Sequence, residues 1–93
     1  MSAIRLGPKL KELRFHMCQT SATSLALRKF IENNYVSIKK VNPNFPILIR
    51  ECSGIMPKIW ARYEFGKEKS FEVGQMSSED IFKLVSKLET NKV

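Results

Sequence analysis

Two cysteines, a single histidine and a cluster of hydroxyl residues hold most of the reactive chemistry of this 93-residue chain. Cys18-Gln19-Thr20-Ser21 stands between an apolar-polar alternation and a run of helical periodicity. A thiol at such a junction meets the N-terminal end of a helix, whose unpaired N–H groups favour thiolate, the nucleophilic form of sulfur. Three residues on is Ser21 rather than a second cysteine, so the motif forms no dithiol by itself. What remains is single-thiol chemistry or pairing with Cys52. His16 is the only histidine, and no metal-ligand spacing, glycine-rich phosphate loop or nucleophile-base-acid set accompanies it. The expectation is a chain with no metal, no cofactor and no catalytic set of its own.

The elements that position these residues centre on Pro46 to Gly66. Two runs of β-branched and aromatic residues, Ile47 to Ile49 and Ile59 to Phe65, flank a turn containing Cys52, Gly54 and Pro57. Alternation from Ile59 places Ile59, Ala61, Tyr63 and Phe65 on one face, read as core, and Trp60, Arg62 and Glu64 on the other. Upstream, Leu10 to Met17 reads as a half-buried strand. Thr23 to Lys40 reads as a helix with Leu27, Phe30, Ile31, Asn34 and Ile38 in its stripe, stopped by Asn42-Pro43. The strand Ile47 to Glu51 follows, then Lys58 to Phe65, a hairpin loop at residues 66–69 and a short strand over Ser70 to Val73. Ser77 and Asp80 open a second helix with Ile81, Leu84, Val85 and Leu88 on its apolar side.

A strand, a helix and a strand within about forty residues require parallel pairing. Parallel neighbours bring their C-terminal ends together, so Cys18 and Cys52, each just past a strand, fall within reach of a disulfide. It would close a loop of roughly 35 residues and stabilise by about 3 to 4 kcal/mol. The alternative is two separate thiols in a reducing compartment. The order β-α-β-β-β-α describes an α/β domain, a four-stranded mixed sheet flanked by two helices, which is the order of a minimal thioredoxin-like core. In that fold Met56-Pro57 falls where a cis-proline sits beside the cysteine site, which makes Pro57 a cis candidate. The expected organisation is an N-terminal arm over residues 1–9, the domain over 10–89 and a tail over 90–93.

The net charge of +7 is uneven, with nine Lys or Arg against Glu12 and Glu32 in residues 1–50 and seven against seven afterwards. Such a balance suits an RNA or acidic protein partner, mitochondrial import, or a merely solvated basic surface. Trp60, Arg62 and Tyr63, with Arg50 and Lys58 nearby, are candidates for partner contact. Trp60 would be covered instead if helices lay on both faces of the sheet. No apolar run approaches the roughly 18 residues of a membrane span. The N-terminus lacks a secretory apolar region and cleavage site, and its basic, acid-poor start is similar to a weak mitochondrial targeting segment, read as retained.

Phe15-His16-Met17-Cys18-Gln19, Phe30-Ile31-Glu32, Lys39-Lys40-Val41-Asn42-Pro43, Pro46 to Cys52 and Pro57 to Gly66 together resemble the thioredoxin-like accessory subunits of respiratory complex I. The likeness covers roughly residues 10 to 88 and is most specific from Pro46 to Gly66. It implies a non-catalytic accessory subunit of mitochondrial NADH:ubiquinone oxidoreductase, docked on the matrix-side peripheral arm at the inner membrane and supporting assembly or stability. Its partners would be other subunits of that arm, with no small-molecule substrate and membrane contact only through the complex. Cys18 and Cys52 match the family's cysteine pair, which can form a disulfide. The same domain family includes mitochondrial ribosomal proteins, so binding of rRNA is the alternative, although the short termini argue against it. A monothiol oxidoreductase is the third.

Overall fold

The structure, a computed structural model, describes residues 4, 6 and 9–88. Leu13, Phe15 and Met17 alternate with polar residues, so the strand that carries them can bury one face. This strand, β1 (Leu10–Met17), lies inside a four-stranded sheet. It pairs in parallel with β2 (Ile47–Glu51) and antiparallel with β3 (Lys58–Tyr63). β3 in turn pairs antiparallel with β4 (Glu68–Glu72), giving the order β2-β1-β3-β4. The parallel pair needs a crossover, and helix α1 (Leu25–Val41) supplies it. Helix α2 (Ser78–Lys87) completes the expected α/β order, its N-terminus capped by the Ser77 hydroxyl, which accepts from the Asp80 N–H at 3.1 Å.

Both helices cover one face of the sheet. Phe15 of β1 meets Phe30 of α1 with ring centroids 6.1 Å apart, and Phe30 meets Phe82 of α2 edge-on at 6.4 Å. The Tyr63 hydroxyl of β3 donates to the Leu88 carbonyl at the end of α2 at 2.7 Å. Leu13, Ile59, Ala61, Leu27, Ile38, Ile81 and Val85 fill the space between. The alternative of helices on both faces therefore does not hold. The opposite face, with Arg14, His16, Trp60 and Arg62, carries no helix among the described residues, and β1 and β3 alternate accordingly.

Two local departures adjust this pattern. Between Leu10 and Glu12 the pairing with β3 shifts register, a bulge that returns Leu10 to the core face although simple alternation from Leu13 would place it opposite. β3 ends at Tyr63 and not at Phe65, because residues 64–67 form the turn into β4. Phe65, expected on the core face, is instead exposed.

Of the N-terminal arm, Ile4, Leu6 and Lys9 are described. Ile4 is 3 % exposed and belongs to the core. Asn42, at the C-terminal end of α1, holds this segment on both sides: its Oδ1 accepts from the Leu6 N–H and its Nδ2 donates to the Ile4 carbonyl, each at 2.8 Å. The rest of the arm, Glu89 and the tail of residues 90–93 lie outside the described residues.

Candidate functional site

Cys18 leaves β1 at the point where the chain turns towards α1. Its N–H donates to the buried Ser24 Oγ at 3.0 Å, and Arg28 Nη1 donates to the carbonyls of Cys18 at 2.8 Å and Ser21 at 3.1 Å. Helix α1 thus holds the cysteine loop through its own first turns. The thiol is only 4 % exposed. Across the sheet, Met17 pairs with Glu51 and the Cys52 N–H donates to the Met17 carbonyl at 3.0 Å, which sets the two cysteines on adjacent chains one step beyond the ladder.

The loop after Cys52 then returns to the sulfur. Gly54 adopts φ +79°, a left-handed conformation that suits glycine, and its N–H donates to Cys18 Sγ at 3.3 Å. Thr20 Oγ1 lies 3.9 Å from the same sulfur. The N–H of Gly54, followed by those of Thr20 and Ser21, lowers the Cys18 pKa from 9.0 to about 7, against the opposing effect of desolvation. The donor on Gly54 is absent from any reading of the Cys18 motif alone, since it arrives from the other strand.

The expected disulfide is not present: Cys18 is a buried free thiol and Cys52 an exposed one. The geometric reason for expecting it survives in the parallel register, but each sulfur keeps its own contacts, Cys52 Sγ lying 3.9 Å from the Ser53 carbonyl. Pro57 is buried at the start of β3, and its carbonyl accepts from the Val73 N–H at 3.2 Å.

The helix-free face of the sheet brings the candidate contact residues into rows. Leu48, Arg14, Trp60 and Ser70 lie side by side across the four strands. Arg50, His16, Lys58 and Glu72 form the next row, and Glu12, Arg62 and Glu68 the one beyond Trp60. Trp60 is the centre of this face: the Arg14 guanidinium lies 5.7 Å from its ring centroid and the His16 ring 6.3 Å away. Arg14 also pairs with Glu68 at 2.7 Å and with Glu12 at 3.4 Å. Burial, then the charges of Arg14, Arg50 and Lys58, lowers the His16 pKa and so favours the neutral ring. A groove of about 450 Å³ runs from His16 and Trp60 to Met56, which is 58 % exposed.

Arg50, Lys58, Trp60 and Arg62, singled out from the sequence, thus share one surface, whereas Tyr63 turns to the core, where its hydroxyl donates to the Leu88 carbonyl. Arg14 and His16 complete it; their alternation within β1 was legible, while their adjacency to Trp60 depended on register. Among the described residues no group of three or more His, Cys, Asp or Glu is placed to hold a metal ion.

The family described as the mitochondrial ribosomal protein L51 / S25 / CI-B8 domain matches residues 27–78. The chain is 45% identical over 83 residues to the NADH dehydrogenase [ubiquinone] 1 alpha subcomplex subunit 2 of Mus musculus, covering 89% of this chain and 84% of the relative. It is 51% identical over 82 residues to the NADH-ubiquinone oxidoreductase 10.5 kDa subunit of Neurospora crassa, covering 88% and 87%. With the Arabidopsis thaliana alpha subcomplex subunit 2 the identity is 42% over 83 residues, covering 89% and 86%. Matched along nearly its whole length, the chain belongs to the family of the NADH dehydrogenase alpha subcomplex subunit 2, within the L51 / S25 / CI-B8 domain family.

Proposed function

We propose that this chain is a non-catalytic accessory subunit of mitochondrial NADH:ubiquinone oxidoreductase, respiratory complex I, associated with the inner membrane through that complex and docked on its matrix-side peripheral arm. The observation that carries the reading is identity of 42 to 51% with complex I subunits from animal, fungal and plant sources across nearly the whole chain. The helix-free sheet face supports it as well. A small domain that leaves Trp60, Arg50, Lys58 and Arg62 on an uncovered sheet has a surface of the composition interfaces favour, with Trp and Arg as anchors. The chain holds its neighbours by that face, stabilises the arm and transfers no electrons itself.

Cys18 and Cys52 form a disulfide under oxidising conditions in this reading, supported by their adjacent placement past β1 and β2. It includes a cis bond at Met56–Pro57, supported by the position of Pro57 at the start of β3 beside the Cys52 loop.

The test is separation of detergent-solubilised mitochondria on a native gel, with detection of this chain beside an in-gel NADH dehydrogenase stain. Co-migration with the NADH-oxidising band is the expected result. Migration with ribosomal particles, abolished by RNase and weakened steeply by salt, would replace the reading with rRNA binding. A free band of domain size with disulfide-reductase turnover lost in Cys18→Ser would make it a thiol oxidoreductase.

A further inference from the structure

The turn between β3 and β4 is built against the preferences of its own sequence. Phe65 adopts φ +63°, ψ 26° and Gly66 φ +72°, while the Lys67 N–H donates to the Glu64 carbonyl at 3.4 Å and the Tyr63 N–H to the Lys67 carbonyl at 2.7 Å. Tyr63 thus faces Lys67 across a three-residue loop of Glu64, Phe65 and Gly66, and the last two of these are left-handed. Left-handed positions prefer Gly, Asn or Asp, because a hydrogen or a short polar side chain tolerates that region and a bulky side chain does not. Gly66 meets the requirement; Phe65 violates it.

The same geometry lifts the phenyl ring off the protein. Phe65 is 93 % exposed, the most exposed of the large apolar side chains described. It therefore bears two costs at once, backbone strain and hydration of an apolar ring, and little of the ring is covered to offset them. Asn at this position would remove both. A residue that the isolated fold disfavours on both counts is placed for something outside the fold.

Its surroundings indicate what that is. A groove of about 600 Å³ beside the ring is lined by two cations, Lys11 and Arg62, and two carboxylates, Glu12 and Glu64. Glu12 pairs with Arg14, and Arg14 also draws in Glu68, the β4 neighbour of Arg62. With Lys67 also exposed, three cations (Lys11, Arg62 and Lys67) stand beside Phe65 against Glu64 and a Glu12 that already pairs with Arg14, a net positive rim. Arg62 also belongs to the helix-free face proposed above, so the knob continues that surface.

We infer that Phe65 is an anchor that inserts into an apolar pocket, rimmed by carboxylates, on a neighbouring protein subunit of the complex. The inference rests on the accessory-subunit reading. A protein occupant is favoured over lipid because a single ring at a rigid turn, with Glu12 and Glu64 among its cations, suits a discrete acidic-rimmed pocket better than an anionic bilayer.

The test is the pair Phe65→Asn and Phe65→Leu in the full chain, each measured free and in mitochondria lacking the native copy. Phe65→Asn raises the melting temperature of the free chain by roughly 4 to 8 °C, as relief of turn strain in a domain of this size would do. On native gels its retention in the NADH-oxidising band falls on the order of tenfold or more, as for an anchor residue. Phe65→Leu, equally disfavoured at the turn but still apolar, retains most of the binding. If the wild-type chain co-migrates and Phe65→Asn is retained equally well, the anchor is overturned while the subunit reading stands. If the wild-type chain does not co-migrate, the subunit reading itself has failed. Phe65-dependent flotation of the free chain with phosphatidylcholine vesicles carrying anionic lipid would assign the ring to a membrane and overturn the protein pocket.

Discussion

Cys18 shows how one side chain acquires its properties from residues far along the chain. Its sulfur accepts the Gly54 N–H, which reaches it only because β2 lies parallel to β1 and the following loop turns back at a positive φ. The folded protein thereby favours the thiolate, and stability must follow pH. A pKa lowered to about 7 in the folded chain contributes nothing below that value, grows as pH rises towards the ordinary thiol range near 9.0, and is fully present above it. Under reducing conditions, chemical unfolding at a series of pH values between about 6 and about 9 should show wild type gaining stability relative to Cys18→Ser. Parallel pH profiles for the two proteins would refute the Gly54 donor as the cause.

At the scale of elements, helix ends and helix faces contribute unequally. Ser77 caps α2 with one hydrogen bond from Asp80, whose carboxylate, with that of Glu79, also lies at the positive end of the helix dipole. Phe30 of α1 touches both Phe15 of the sheet and Phe82 of α2. Ser77→Ala should therefore cost about 1 kcal/mol, and Phe30→Ala about 3 to 5 kcal/mol because it opens a cavity where sheet and both helices meet. Urea unfolding of the two variants checks the ratio. Comparable losses would mean that α2 depends on its cap more than on its apolar face.

Across the whole molecule, one side of the sheet builds the core, and the other is the side we propose for docking. Reversing charge on the open side, as Arg50→Glu with Lys58→Glu, should leave the melting temperature of the free chain nearly unchanged, since neither residue belongs to the core. Retention in the NADH-oxidising band should fall, and equal retention would move the docking face elsewhere. The proposed cysteine pairing makes a further prediction about global stability. Oxidation of Cys18 to Cys52 constrains the unfolded chain over roughly 35 residues, so the oxidised protein should be about 3 to 4 kcal/mol more stable to denaturant than the reduced one. Cys52→Ser should abolish that difference.

Much of this architecture was legible in the residues themselves. Alternation in Leu13 to Met17 and Ile59 to Tyr63, the stripe of Leu27, Phe30, Asn34 and Ile38, and the Ser77 cap are local or periodic signals, and each survives in the fold. They also sufficed to order the elements and to place Cys18 and Cys52 at neighbouring strand ends. Other features depended on which segments meet. Alternation alone extended β3 to Phe65, because it carries no information about where the turn at residues 64–66 begins. The Leu10 bulge, the Asn42 clasp on Ile4 and Leu6, and the Gly54 bond to Cys18 each join residues separated by a strand or a helix. Placement of both helices on one face decided that Trp60 is uncovered. Periodicity is a property of a segment and so is written in its sequence, whereas register, handedness of a turn and the covering of a face arise only when segments pack, and here they determine what the surface offers to a partner.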